Sequence, residues 1–274
     1  MIRFFFFALL ATLASVASAM SLGSKHAILI DEESGRILFE KNASDIVPIA
    51  SLTKLMTAMV VLDSQPDMDQ LITILDEDVD TIKFSSSRVP VGATFSRRTL
   101  LELALMSSDN RAAHALARSF PGGMPQFRLA VRNKALALQL HRTNIEEPTG
   151  LSPNNTSTAS DLAKLAMAAA KYPEIEQITT VSGDLIDVGG QRRQYHNTNR
   201  LVSNKNWNIL LSKTGFTNEA GRCIVMRVRA AGHNAVMVLL NAKESFNRTA
   251  DATRLYQMLA GGNQPEVIAG LHLR

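Results

Sequence analysis

Hydrophobic and polar positions alternate differently at the ends of this 274-residue chain and in its middle. Near the start, the apolar runs 26–31 and 36–41 flank the polar segment 32–35, which predicts a β-hairpin. Near the end, three short apolar runs predict strands at 208–212, 222–229 and 234–240. Both ends of the mature chain are therefore expected to form strands.

The middle of the chain, from about residue 65 to about residue 205, has the spacing of helices joined by long polar connections. The apolar run 55–62 predicts a helix just before it, and 245–259 predicts a final helix. This order favours an α/β fold of the α+β kind, in which strands from both ends form one antiparallel sheet and a helical lobe is inserted at about 65–205. The groove between sheet and lobe is the expected site.

The first residues have the composition of a secretory signal peptide. Residues 1–3 carry one positive charge, residues 4–13 are apolar, and 17–19 read Ala-Ser-Ala. We expect cleavage after Ala19, which leaves a single domain at 20–274. A retained membrane anchor is the alternative, and no other stretch of the sequence is long and apolar enough to span a bilayer.

Composition excludes several classes of protein. The net charge of +4 is too small and too scattered to indicate nucleic-acid binding. The one cysteine, Cys223, rules out an intramolecular disulfide. No cluster of cysteine and histidine has the spacing of metal ligands, so neither a metal nor a cofactor is expected.

Ser51 and Lys54 are the first candidates for chemistry. If a helix starts near Ser51, the two side chains share one face, because residues three apart are neighbours on a helix. A serine hydroxyl is a weak nucleophile and needs a base, and a neutral, desolvated lysine can be that base. The alternative is an ordinary helix start, with Ser51 as the N-cap and Lys54 in solvent.

Two further polar clusters follow in the chain. Ser108-Asp109-Asn110 interrupts two apolar helical stretches, although Asn110 could simply cap the second one. Lys213-Thr214-Gly215 comes directly after the predicted strand 208–212. The order S-x-x-K, S-D-N, K-T-G is the known signature of class A β-lactamases and penicillin-binding proteins.

From about residue 27 to 259 the chain resembles the serine D,D-peptidases of the low-molecular-mass penicillin-binding proteins, and within them it is most similar to the D-alanyl-D-alanine endopeptidase type. The resemblance implies a β-lactamase/transpeptidase-like fold. Besides the three motifs, it is carried by segments 48–59, 105–113, 147–151, 157–163 and 211–221.

The resemblance also implies roles for individual residues. Ser51 would be the nucleophile that forms an acyl-enzyme, and Lys54 the general base. Ser108 would relay a proton to the leaving amine, and Asn110 would hydrogen-bond the substrate amide or Lys54.

Four residues at 213–216 are assigned to substrate binding by the same resemblance: Lys213, Thr214, Gly215 and Phe216. The backbone N–H groups of Ser51 and Phe216 would form the oxyanion hole. Segment 196–199 we interpret as a hydrogen-bonded loop rather than as part of the groove.

Two departures bear on the substrate. An arginine after the last strand is thought to hold the free carboxylate in the carboxypeptidase branch, and the residue that aligns with it by eye is Lys243, which lacks arginine's bidentate fork. The chain ends at Arg274, without the extra β-domain and amphipathic anchor of many carboxypeptidases. The first favours an endopeptidase that cleaves peptidoglycan cross-links, and the second a soluble periplasmic enzyme. The resemblance also implies covalent inhibition by β-lactams.

Three alternatives stay open at this point. The first is a D-alanyl-D-alanine carboxypeptidase that removes terminal D-Ala. The second is a β-lactamase, for which Glu147 is the only glutamate near the place where such enzymes hold a hydrolytic water. The third is a wall-binding module without activity.

Overall fold

The structure is a computed structural model that describes residues 21–261. The predicted signal peptide and residues 262–274 lie outside the described residues. The strands of residues 21–261 are β1 (His26–Asp31), β2 (Ile37–Lys41), β3 (Val47–Pro48), β4 (Leu71–Thr73), β5 (Thr94–Ser96), β6 (Thr156–Ser157), β7 (Gly183–Val188), β8 (Gln191–His196), β9 (Asn208–Thr217), β10 (Gly221–Ala230) and β11 (His233–Ala242).

The helices of the same range are α1 (Thr53–Asp63), α2 (Arg97–Leu105), α3 (Asn110–Arg118), α4 (Gly123–Ala137), α5 (Ala159–Ala169), α6 (Pro173–Thr180) and α7 (Ser245–Leu259). Three short 3₁₀ turns are formed by Ala50–Leu52, Asp76–Asp78 and Arg200–Ser203. None of these helices is both long and apolar enough to cross a membrane.

Strands from the two ends of the chain form one antiparallel sheet in the order β2-β1-β11-β10-β9. In the central pair, His26 lies opposite Leu240 and Asp31 opposite Ala235. The antiparallel sheet predicted from the sequence is therefore confirmed. β9 is an edge strand, so its free side borders the groove.

The sheet is buried on both faces because successive side chains of a strand point in opposite directions. Leu29 and Met237 pack with Leu255 of α7 on one face. Ile28 and Val238 face the other way, into the larger core shared with the other helices. The sheet thus separates α7 from the helical lobe.

α1 is the buried centre of the lobe, packed against α2, α3, α4 and α5. All nine of its residues from Thr53 to Val61 are buried. A helix surrounded on every side needs apolar residues all round, which explains why residues 55–62 are apolar except for Thr57. Lys54 is the one charged residue among these nine, and its burial calls for a specific set of partners.

The strand predicted at 208–212 extends to Thr217, so the prediction that Lys213-Thr214-Gly215 follows the strand was wrong. β10 continues to pair with these residues, with Val225 opposite Lys213 and Cys223 opposite Gly215. Lysine and glycine are unfavourable in a strand interior, which is why the pattern appeared to end there. Because β9 is an edge strand, the side of Lys213-Thr214-Gly215 that does not pair with β10 faces the groove.

Candidate active site

Ser51 and Lys54 meet at the start of α1. Ser51 lies in the 3₁₀ turn Ala50–Leu52, and Lys54 is the second residue of the helix that follows. The Lys54 Nζ lies 2.9 Å from the Ser51 Oγ. The alternative of a serine cap with a solvated lysine is wrong, because Leu52 occupies the N-cap position and Lys54 is only 1% exposed.

The Lys54 amine has two more oxygen neighbours. Its Nζ lies 2.7 Å from the Asn110 Oδ1 and 2.7 Å from the backbone oxygen of Thr149. An ammonium has three N–H donors, so these three oxygens could satisfy all of them. A neutral amine has two donors and one lone pair, and the lone pair could then accept the Ser51 proton.

Burial is the main influence on the charge of Lys54, and it lowers the pKa of this amine to about 8. Three carboxylates oppose that effect and raise the pKa, in the order Glu147, Asp109 and Asp80. A lysine with a pKa near 8 is partly neutral close to neutral pH, as a general base must be.

Asn110 is placed by the first turn of α3. Asp109 is the N-cap of this helix and accepts from the Ala112 N–H at 3.0 Å, so capping by Asn110 is excluded. The Asn110 Nδ2 donates to the Ser85 Oγ at 2.8 Å, which turns its carbonyl oxygen towards Lys54.

Ser108 contacts a second lysine. The Lys213 Nζ donates to the Ser108 Oγ at 2.9 Å and to the Thr214 backbone oxygen at 3.0 Å. Ser108 has a φ of 61°, which is uncommon for a residue other than glycine and directs its side chain into the groove from the break between α2 and α3. Burial lowers the pKa of Lys213 well below its usual value, and the charges of Lys54 and Arg248 lower it further.

Gly215 brings β9 against the Ser51 turn. A Cβ at this glycine would lie 2.9 Å from the Ile49 oxygen and 3.1 Å from the Ser51 nitrogen, so only glycine allows this approach. The next residue, Phe216, is 47% exposed, and the Arg222 guanidinium lies 3.6 Å above its ring.

Several residues at the groove were missed by the sequence interpretation. Thr198, in the loop interpreted as purely structural, accepts from the Thr214 hydroxyl at 2.6 Å. Ser85 and Thr149 were missed because one acts through a loop hydroxyl and the other through a backbone carbonyl. No sequence motif marks these two roles.

Two cations follow β11, Lys243 and Arg248, and they lie differently relative to the site. Lys243 is exposed, whereas the Arg248 guanidinium lies close enough to Lys213 to lower the pKa of that lysine. Its Nη1 donates to the Cys223 backbone oxygen at 3.3 Å, and its Nε has no partner within residues 21–261. The first turn of α7 thus brings Arg248 back to the sheet.

Comparison with known proteins identifies the family. The model of the D-alanyl-D-alanine carboxypeptidase family of S11 peptidases matches residues 13–244, well over half of the chain. The chain belongs to this family. It is therefore a serine-type D-alanyl-D-alanine peptidase, as the resemblance implied.

Two relatives of this S11 peptidase are named D-alanyl-D-alanine endopeptidase. The Pseudomonas aeruginosa protein is 44% identical over 251 residues, which cover 91% of this chain and 81% of the relative. The Escherichia coli protein is 40% identical with the same coverage. The resemblance to the endopeptidase type is thereby confirmed.

Solved structures agree with the predicted fold. The Streptomyces K15 DD-transpeptidase is 26% identical, with a TM-score of 0.80 over 86% of this chain and 96% of its own. Penicillin-binding protein D2 from Listeria monocytogenes, solved in a cefotaxime-bound form, is 27% identical, with a TM-score of 0.75 over 89% of this chain and 99% of its own. The β-lactamase/transpeptidase-like fold is confirmed.

Proposed function

We propose that this S11 peptidase is a periplasmic endopeptidase that hydrolyses D-alanyl cross-links of peptidoglycan through an acyl-enzyme on Ser51. The observation that carries the proposal is the 2.9 Å contact between the Lys54 Nζ and the Ser51 Oγ inside a buried set of acceptors. The names of the two relatives at 40–44% identity support cross-links as the substrate.

In the proposed acylation, neutral Lys54 takes the proton of Ser51 while the Ser51 Oγ forms a bond to the D-alanyl carbonyl carbon. The backbone N–H groups of Ser51 and Phe216 stabilise the oxyanion. The C–N bond then breaks, and the leaving nitrogen receives the proton from Lys54 by way of the Ser108 Oγ. Water hydrolyses the ester and restores the Ser51 hydroxyl.

Lys213, Thr214 and Gly215 form the substrate-binding edge in this proposal. A substrate strand laid along the free side of β9 would meet the Lys213 amine and the Thr214 hydroxyl. A β-lactam would occupy the same edge and acylate Ser51. The cefotaxime complex of the Listeria relative supports this expectation.

Carboxypeptidase activity is the second candidate, and Arg248 favours it. A guanidinium beside Lys213 can hold a free carboxylate bidentately. This guanidinium weakens the argument from Lys243 against the activity, so trimming of terminal D-Ala remains compatible with the site.

β-Lactamase activity is disfavoured by the contacts of Glu147. Both of its carboxylate oxygens already accept hydrogen bonds from its own turn, at Thr149, Gly150 and Ser152. The proposed location in the periplasm rests on the sequence of residues 1–19, and the mature peptidase domain is proposed to comprise 20–274.

The proposal is tested by digestion of purified cross-linked peptidoglycan and chromatography of the products. The parent enzyme is expected to remove cross-linked dimers, and the Ser51→Ala variant is expected to leave them intact. Ser107→Ala is the matched control, because the Ser107 hydroxyl donates to the Leu103 backbone oxygen at 2.8 Å and takes no part in the site. Conversion of pentapeptides to tetrapeptides with intact dimers would indicate the carboxypeptidase instead.

A further inference from the structure

The turn that contains Glu147 lies against α1 beside the proposed base. The Glu147 Oε2 accepts from the Thr149 N–H at 2.7 Å and from the Thr149 hydroxyl at 2.6 Å. Its Oε1 accepts from the Gly150 N–H at 2.6 Å and the Ser152 N–H at 3.3 Å. One carboxylate therefore fixes the backbone of three residues in the same turn.

The same turn directs its backbone carbonyls towards α1 and its surroundings. The Pro148 oxygen accepts from the Thr57 hydroxyl at 2.7 Å, and the Thr149 oxygen lies 2.7 Å from the Lys54 Nζ. The Glu147 oxygen accepts from the Asn155 Nδ2 at 2.8 Å. Three consecutive backbone carbonyls thus accept hydrogen bonds. The one that contacts Lys54 belongs to Thr149, whose N–H and hydroxyl both donate to Glu147.

Gly150 makes this close packing possible. It has a φ of +86°, and a Cβ there would lie 2.0 Å from the Ala50 oxygen. The turn is therefore pressed directly against the residue before Ser51, so a change in the turn would be transmitted to both Ser51 and Lys54.

The direction of the Lys54 lone pair depends on this arrangement. A neutral amine has two N–H donors and must place its lone pair towards one of its three oxygen neighbours. The Thr149 carbonyl and the Asn110 carbonyl accept but cannot donate, so they take the two N–H groups. Only the Ser51 hydroxyl can donate, and the lone pair is left to face it.

We propose that Glu147 is a positioning residue of this peptidase, which holds the Thr149 carbonyl on Lys54 and thereby aims the amine at Ser51. This inference rests on the proposed roles of Ser51 and Lys54. It also gives the glutamate a function other than holding a hydrolytic water.

The charge of Glu147 provides a readout that a merely structural role would not change. The charged groups that act on Lys54 are the carboxylates of Glu147, Asp109 and Asp80, which raise its pKa, and the nearby amine of Lys213. Removal of the Glu147 charge lowers the pKa of Lys54. Neutral amine is then present at lower pH, so the acid limb of the acylation rate moves to lower pH.

The test compares Glu147→Gln, Glu147→Asp and Glu146→Gln in the full chain by their rates of acylation with a fluorescent penicillin across pH. Glutamine cannot accept on both arms, so Glu147→Gln is expected to lower the saturating acylation rate about 100-fold, with little change in penicillin affinity, and to shift the acid limb to lower pH. Glu147→Asp keeps the charge but shortens the reach. Its saturating acylation rate should fall, while the acid limb of its pH dependence should stay near that of the parent.

Glu146→Gln is the matched control, since the exposed Glu146 contacts Ser152 and Asn154 and not Thr149. It should match the parent in its saturating acylation rate and in the position of its acid limb. A parent-like rate in Glu147→Gln, or a lowered rate with an unmoved limb, would overturn the proposal. If that variant does not fold, a parent-like rate in Glu147→Asp overturns it; absence of acylation in the parent would instead refute the proposed function.

Discussion

Two buried lysines border the same groove in opposite electrostatic surroundings. Lys54 has three oxygen neighbours and is attracted by carboxylates on the surrounding loops. Lys213 has two oxygen neighbours, and the charges that act on it are the cations Lys54 and Arg248. Equal burial therefore does not give the two amines equal roles.

The difference shows how one fold assigns roles to two identical side chains. The nearby carboxylates partly offset the effect of burial and keep the pKa of Lys54 at about 8. At this pKa the amine can both lose and accept a proton near physiological pH. Lys213 is left without an anionic partner among residues 21–261, so an anionic group on a ligand would complete its surroundings. The first arrangement suits a base, and the second suits recognition of an anion.

Replacement of each lysine by methionine gives the largest expected effect. Lys54→Met removes the proton acceptor and should lower the saturating rate of β-lactam acylation by about 1,000-fold or more. Lys213→Met should act mainly on affinity and cost roughly 10- to 100-fold in acylation at low ligand concentration. Stopped-flow acylation over a range of β-lactam concentrations separates the two effects. A loss mainly of affinity in Lys54→Met and mainly of saturating rate in Lys213→Met would contradict the prediction.

Alanine substitutions at the two glycines near these lysines should differ in their cost to stability, with the larger cost at Gly150. Gly150→Ala places a Cβ 2.0 Å from the Ala50 oxygen at a φ of +86°, and should lower the free energy of unfolding by about 3 kcal/mol. Gly215→Ala meets its nearest atom at 2.9 Å without a positive φ. It should cost about 1 kcal/mol and mainly reduce activity. Urea unfolding measures both, and a larger loss for Gly215→Ala would contradict this ranking.

Proton uptake by Lys213 on ligand binding is the smallest expected effect. Because the pKa of Lys213 is lowered in the free protein, an anionic ligand beside it should raise that pKa and draw in a proton. Calorimetry of penicillin binding to Ser51→Ala, in buffers of different ionisation enthalpy, should show an uptake of up to about one proton. The uptake should disappear in the Lys213→Met background; its persistence there would assign it to another group.

Much of the fold was accessible from the sequence because strands and helices differ in hydrophobic period. The antiparallel sheet of terminal strands and the inserted helices followed from that pattern, and three motifs in order led to the family. The end of β9 was placed too early, at 212, because Lys213 and Gly215 interrupt the apolar run. Pairing with β10, which no local pattern reveals, continues the strand.

The contacts within the site were less accessible. Thr149 lies 95 residues from Lys54 and acts through a backbone carbonyl, which carries no sequence signal. Glu147 was considered only as a holder of water, because its hydrogen bonds depend on the fold of its own turn. Arg248 was not considered, because linear counting does not show how the first turn of α7 faces the sheet.

Activation of Ser51 by a neutral Lys54 amine is tested most directly by the pH dependence of Ser51 acylation by a β-lactam. Between about pH 6 and about pH 10 the saturating rate should rise with pH along a single limb centred near the Lys54 pKa of about 8. Lys54→Met should abolish that limb. A rate that is flat across this range in the parent, or a limb that persists in Lys54→Met, would contradict the role of Lys54 as the base.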